Sequence, residues 1–520
     1  MQTHCSSVFC ILTSLSTAIT ALPTASLAAQ LSVPAQYPTI TDAINASSAG
    51  DSILVAPGTY AEAIVFPTHE LTIMSTSGAV STIIDAPLGS GLIPTPNAAV
   101  TFPAGSNGTV QGFTITGGTG NPDGLGSKLS FGGGVHVLGS ARILDCSIIN
   151  NTATDGAGIY IDQTALAAEI DGCTVRGNDA RNDGGGIAVD FNLGSGISVN
   201  NTRILSNSAD NVGGGLYLEC DSVSVTDSLI QLNEAQRGAG AYVIDPVESG
   251  FPGAIRFDRC TFLDNTASVN GSAILVSASA QEIFADGCRF IENTALNRGT
   301  VYAFEADLIV SNSIIAGNTA EEFVAAFHTD NTQSTSIALD HTLIYANQNT
   351  IFTALADGEV FASNSMYFEN GLLSSSGLAG GSVILPADTL AQLELFFGPI
   401  FADLTGPDGV LGTTDDDPTL IPGSFAIDAG DTSVGTYLGT TDLLGNPRLV
   451  DDPSTVNTGL SVYGVTVDIG PAEYQPPASP PSADLTTTGA TLQGQPGFGI
   501  PDGTVDLDDL GFFLSIWLGI

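Results

Sequence analysis

Between residues 113 and 370, apolar and polar side chains alternate in short runs, and each run closes on an Asn or a Gly. The chain reads Cys146-Ser-Ile-Ile-Asn-Asn151, then Cys173-Thr-Val-Arg-Gly-Asn178, then Thr202-Arg-Ile-Leu-Ser-Asn207. The same register continues through Asn233, Asn265, Asn293, Asn318, Asn347 and Asn370, at intervals of 23 to 32 residues. An earlier copy, Phe113 to Gly118, has Gly in the Asn place. Two residues after the Cys/Ser/Thr position come Ile148, Val175, Ile204, Ile230, Phe262, Phe290, Ile315, Ile344 and Tyr367. Three before it come Ile143, Ile170, Val199, Val225, Phe257, Ala285, Val310, Leu339 and Ala362. A period of two over four to six residues predicts strands rather than helices. Asp145, Gly172, Asn201, Asp227 and Asn312 predict the turns between paired strands. A further Gly-rich strand recurs at Gly132–Val135, Gly156–Ile159, Gly184–Ile187, Gly213–Leu216 and Gly238–Ala241.

A unit this short cannot bury its own apolar face, but coils stacked on one another can. Each strand then pairs in parallel with its counterpart one coil away, about 4.8 Å along the axis. The predicted fold is therefore all-β, a single-stranded parallel β-helix with continuous aliphatic ladders inside. The asparagines are expected to stack at a tight bend, where Asn tolerates left-handed backbone and bonds neighbouring main chain. Cys146, Cys173, Cys260 and Cys288 share the inward place held elsewhere by Thr202, Ser228, Ser313 and Thr342, which predicts buried free thiols. Stacked neighbours hold Cβ atoms too far apart for a relaxed disulfide.

The repeats resemble those of right-handed parallel β-helix proteins of the pectin-lyase-like class. Tyr37-Pro-Thr-Ile-Thr-Asp-Ala-Ile-Asn45 and Gly50-Asp-Ser-Ile-Leu-Val-Ala-Pro-Gly-Thr-Tyr60 are similar to the opening of that family. The resemblance implies a right-handed solenoid over residues 29–395, begun by a capping helix. Thr39 to Ala46 suits that helix, since Ile40, Ala43 and Ile44 make one apolar face. The resemblance says little about activity, because the fold carries lyases, hydrolases, adhesins and inert stalks alike.

The flanks read differently. Residues 1–28 contain no Asp, Glu, Lys or Arg, and an apolar run from Val8 leads to Ser26-Leu27-Ala28-Ala29. This is the pattern of a secretory signal peptide, and it places the protein outside the cell or at its surface. No later segment has the apolar length to span a bilayer. Residues 396–474 form a separate module: Ile427-Asp-Ala-Gly-Asp431, Asp442-Leu-Leu-Gly-Asn-Pro-Arg448 and Val467-Asp-Ile-Gly-Pro-Ala-Glu-Tyr474 resemble the terminal unit that closes many exported bacterial β-helices. Arg448 is expected to pair with Asp442 or Asp468. Residues 475–494 are a Pro/Thr-rich linker. Residues 495–520 resemble half of a dockerin, an EF-hand-like loop followed by a helix whose apolar stripe (Leu510, Phe513, Leu514, Trp517) calls for a protein partner.

Composition narrows the chemistry. The chain has 54 acidic and 11 basic residues and a formal charge of −43. A single lysine, Lys128, and ten arginines make a poor surface for nucleic acid. The field draws cations, and Ca²⁺ is the cofactor these carboxylates could hold. In the EF-hand-like loop Asp502, Thr504, Asp506 and Asp509 take ligand positions, but Phe498 and Ile500 fall where two ligands belong. Asp408 and Asp415 form a second acidic loop, read either as Ca²⁺ ligands or as a solvated turn.

Just before the Gly-rich strands lie Asp155, Asp183, Asp210, Asn211 and Arg237, expected to line up along one outer edge as a groove for an acidic or cation-bridged glycan. The competing reading is a plain solvated turn. Arg176 and Arg203 are the candidate bases of a lyase, and no family catalytic motif falls on them. His136, His328 and His341 read as bend or surface residues. Two functions stay open. One is a non-catalytic surface protein that binds or presents to extracellular carbohydrate or a surface protein. The other is a polysaccharide lyase or glycoside hydrolase.

Overall fold

The computed structural model describes residues 28–87, 97–122, 129–192, 196–244, 254–277, 282–304, 306–321, 324–331, 336–348, 350–356, 359–368, 383–384, 390, 399–430, 441–455 and 466–476. Within them the alternation becomes stacked coils. One coil runs through Ile187–Asn192 (sheet 1), Ile197–Asn200 (sheet 2), Arg203–Leu205 (sheet 3) and Ser208–Ala209 (sheet 4). Among the described residues these sheets hold 11, 13, 13 and seven strands, each hydrogen-bonded in parallel to its counterpart in the next coil. The solenoid winds with the right-handed sense that parallel crossovers take. The helix Ile40–Ala46 covers the first coils, with Thr39 Oγ1 accepting the Asp42 N–H at its N-terminus and Ile40, Ala43 and Ile44 buried.

The two apolar rows stack in register. Ile148, Val175, Ile204, Ile230, Phe262, Phe290, Ile315, Ile344 and Tyr367 pair in sequence along sheet 3 and are buried. Ile143 to Leu339 do the same along sheet 2. The side chain of Ala362 lies outside the described set. Cys146, Cys173, Cys260 and Cys288 are buried free thiols, and Cys220 is buried as well. Burial pushes the Cys146 thiol up to about 12.

The bend between sheets 2 and 3 uses left-handed residues, including Asp145, Asn201, Asp227 and Asn312, with φ between 46° and 50°. At the next bend the asparagine ladder is buried, but the left-handed backbone belongs to the preceding residue: Asn150, Gly177, Ser206, Leu232, Asp264 and Glu292. The asparagines serve as internal amides. Asn207 Oδ1 accepts from both the N–H and the Nδ2 of Asn178, while Asn207 Nδ2 donates to Val175 O and to Asn233 Oδ1. The pattern repeats from Asn151 to Asn347. Asn370 lies outside the described residues.

Sheet 4 then turns sharply into sheet 1. Its inward row is alanine, from Ala153 through Ala180, Ala209, Ala235 and Ala267 to Ala295. The following glycines are needed for space, not only for turning: a Cβ on Gly186 would stand 2.5 Å from the Gly215 carbonyl oxygen.

The C-terminal module lies against the flank of the last coils. Ile400, Phe401, Leu404, Leu420, Ile427 and Ile469 cover the outward side of sheet 3 at Ile314, Leu343, Tyr345, Met366 and Phe368. The partner of Arg448 is neither expected aspartate. Its buried guanidinium reaches Glu473 Oε2 at 3.4 Å and donates to Gly470 O at 2.6 Å. Asp442 instead accepts the Leu444, Asn446 and Glu473 N–H groups, and Asp468 those of Asp428 and Tyr474. Each carboxylate is occupied by backbone N–H groups, some from its own turn and some from a distant segment.

Candidate functional site

The outward side of sheet 1 is where the sequence leaves chemistry unspent. The second residue after each Gly-rich triplet points away from the core, and these residues pair as His136, Tyr160, Ala188, Tyr217, Tyr242, Leu275 and Tyr302. The Tyr217 and Tyr242 rings stack with centroids 6.0 Å apart and planes 5° off parallel. His136 meets Tyr160 edge-on at 5.4 Å. Phe131, from the short antiparallel pair Asn121–Pro122 and Ser130–Phe131, covers Tyr160 at 4.8 Å.

Two residues beyond Tyr160, Ala188 and Tyr217, in three successive coils, come acids: Asp162, Asp190 and Glu219. The pairing of Ile187–Asn192 with Leu216–Cys220 slips between Val189 and Asn192, an irregularity that redirects a side chain. Asp190 stands in that slip and accepts the Tyr160 hydroxyl one coil back. Tyr217 donates to Glu219 Oε2 at 2.7 Å. The same slip sets Asp190 opposite Glu219 on the neighbouring strand. Burial raises the Glu219 pKa, and the neighbouring Asp190 carboxyl adds to the rise.

Asp155 and Asp183 flank this row and stack as the sequence suggests. Gly156 N–H donates to Asp183 O, one coil on. Their carboxylates tie the edge together: Asp155 Oδ1 accepts from Asn182 Nδ2 and the Asp183 N–H, and Asp183 Oδ1 accepts from Asn211 Nδ2 and the Val212 N–H. Burial, then the Asp155 charge, pushes Asp183 up to about 6.

The next coil corrects the expected line. Val212, not Asp210 or Asn211, occupies the stacked place between Asp183 and Arg237. Asn211 follows Asn182, to whose carbonyl its N–H donates. Asp210 opens instead onto a separate cavity of about 270 Å³ outside sheet 4, lined by Ser208, Glu234, Gln236, Thr266 and Ser268. Arg237 lines a cavity of about 250 Å³ that continues the sheet 1 row, with Tyr242, Asn270, Leu275, Tyr302 and Phe304.

Arg176 and Arg203 lie on sheet 3, out of register with each other: Arg203 pairs with Thr174 and Arg176 with Leu205. His341 is indeed at a bend, but buried. His328 pairs with Tyr302, and its side chain lies outside the described set. Asp415 accepts the Asp408 N–H at 3.1 Å, and Asp408 accepts that of Val410 at 2.7 Å, so both carboxylates brace one loop. Asp502, Thr504, Asp506 and Asp509 lie outside the described residues. Among the described residues no group of three or more His, Cys, Asp or Glu is gathered as a metal ion would need.

His136 is neither a bend nor a surface residue, being 6% exposed. Asn121 Oδ1 accepts the Ala98 N–H, which fixes its amide, so Nδ2 is what faces His136 Nδ1 at 3.1 Å. The imidazole proton therefore sits on Nε2, and that atom has no hydrogen-bond partner. Burial holds the His136 pKa down at about 4, so the ring is neutral. An N–H buried without an acceptor costs about 1–3 kcal/mol. Nδ1 is held toward Asn121 and the preceding coil, which turns Nε2 toward the row that Tyr160 continues.

No protein-family model and no curated protein matches the sequence. Among solved structures, the crystal structure of pectate lyase Pel9A is similar, with 15% sequence identity, 84% of this chain and 91% of that chain covered, and a TM-score of 0.38. The likeness is one of fold alone.

Proposed function

We propose that this chain is an exported β-solenoid that binds an extended carbohydrate along the outer side of sheet 1. The observation that carries this reading is the buried, unpartnered His136 N–H, set in a row of tyrosines and carboxylates. A sugar supplies what that row asks for: hydroxyl and ring oxygens as acceptors, hydroxyls as donors to carboxylates, and apolar C–H surface for aromatic rungs. The spacing helps, since coils repeat about every 4.8 Å, close to the length of one pyranose along a chain. Export rests on the signal-like residues 1–28, and display through a protein partner on the dockerin-like tail. Calorimetric titration of the purified chain with a panel of neutral, acidic and basic oligosaccharides tests it. Binding that His136→Phe and Tyr217→Ala both abolish supports the reading, and silence across the panel ends it.

A second reading, glycoside hydrolysis, is favoured by Glu219 itself. A carboxyl whose pKa is raised by burial, beside a second carboxyl, is suited to act as a general acid with a potential base at hand. New reducing ends released by the wild type and not by Glu219→Gln would establish it. No release from any sugar that binds would leave the binding function alone.

A further inference from the structure

We infer that the sugar taken by this face carries a free amine, a glucosamine-type unit whose ammonium lies between Asp190 and Glu219. The inference rests on the carbohydrate reading above and names the class of sugar. Asp155, Asp162, Asp183, Asp190 and Glu219 belong to three successive coils on one side of the solenoid. Asp190 and Glu219 face each other across the slip between their paired strands, and two neighbouring carboxyls repel unless a proton or another cation lies between them. An ammonium does what that proton does, with three donors instead of one.

The tyrosines are arranged for the same guest. Tyr160 donates its hydroxyl to Asp190 and Tyr217 donates to Glu219, so both carboxylates are aimed by their neighbours. The aromatic rings beside them favour a cation over their faces. His136 adds a different group, an N–H donor that suits a sugar oxygen and gives an ammonium nothing. A ligand that satisfies both must combine an amine with oxygen acceptors, which a bare polyamine does not. The charge of −43 concentrates such a ligand and repels a uronate. Arg237 stands beyond Glu219 on the following coil, lining the neighbouring cavity with Tyr242.

The test is calorimetric titration of the full chain at about pH 6, where an amine of this class is charged. The probes are a β-linked glucosamine oligomer, its fully N-acetylated counterpart, a galacturonate oligomer and oligolysine of matched charge. The glucosamine oligomer is expected to bind at least about tenfold more tightly than each of the other three. The double variant Asp190→Asn/Glu219→Gln should bring the free and acetylated forms to parity. Tyr217→Phe keeps the ring and removes only the hydroxyl that aims Glu219, and it should narrow the gap without unfolding risk. Equal binding of acetylated and free oligomers overturns the inference and leaves the carbohydrate reading standing. Oligolysine binding as well as glucosamine overturns it too, by showing charge attraction without sugar recognition. Failure of every oligosaccharide removes both.

Discussion

The asparagine bend and the outer row of sheet 1 are built by the same device, one side chain per coil repeated in register, yet they end in opposite states. In the bend every amide from Asn151 to Asn318 gives its Oδ1 and Nδ2 to protein partners, and the ladder closes on itself. In the outer row the groups are just as ordered, but His136 Nε2 has nothing to donate to and two carboxyls crowd each other. A periodic row of polar groups that completes its own bonding is architecture. A periodic row left incomplete at a buried atom is a place for something else.

The sharpest way to break this contrast is to remove one amide from the ladder. Asn207→Ala leaves the Asn178 N–H and Nδ2, Val175 O and Asn233 Oδ1 each short of a partner, and should cost about 4 kcal/mol in denaturant unfolding. A loss under about 1 kcal/mol would mean that the bend is not held by its amides. Next comes the inward apolar row beside it. Ile204→Ala opens a hole in a fully buried ladder, and about 3 kcal/mol should disappear.

The outer row has a pH signature that the ladder lacks. His136 titrates at about 4 in the fold and near 6.5 when unfolded, so the unfolded chain takes up the proton first. Its contribution to stability is therefore complete above about pH 6.5 and is lost as pH falls toward 4, by up to about 3 kcal/mol, while Asp183, raised to about 6, contributes with the opposite sign. The difference in melting temperature between wild type and His136→Gln should therefore change across that window. If the two profiles run parallel there, the ring is not buried neutral. Smallest in stability is Tyr217→Ala on the outward side, expected to change unfolding by under about 1 kcal/mol while ligand binding is lost. A large destabilisation would make the row architectural after all.

The two regions also differ in how readable they are from sequence. The ladder is legible residue by residue, because strand alternation and the recurrent Asn share one period and leave only one way to stack. Even so, the left-handed position falls one residue earlier than the asparagines suggest, since a buried amide can serve the bend from beside it. Asp155, Asp183 and Arg237 are visible because they abut the glycine triplets. Asp210 and Asn211 are misplaced by a small shift in chain position, which alternation alone cannot detect in a turn. Tyr160, Asp190, Tyr217 and Glu219 look like an ordinary solvated strand face, and only the lateral pairing brings them together. A usable signal was present in part: after the triplets that begin at Gly156 and Gly213, a Tyr stands at the second place and an acid at the fourth, and the intervening triplet is also followed by an acid at its fourth place.

Partners along the ladder are separated by only 25 to 29 residues in most coils, with 32 the widest step. The clip between Tyr345 and Asp416 closes 71 residues, and that from Arg289 to Asp416 closes 127. Loops of such different length imply an order of assembly. Coils can zip onto whichever neighbour has already formed, from any starting point. The flanking module, whose docking surface spans several finished turns, would then settle last, as a seal on a completed spool.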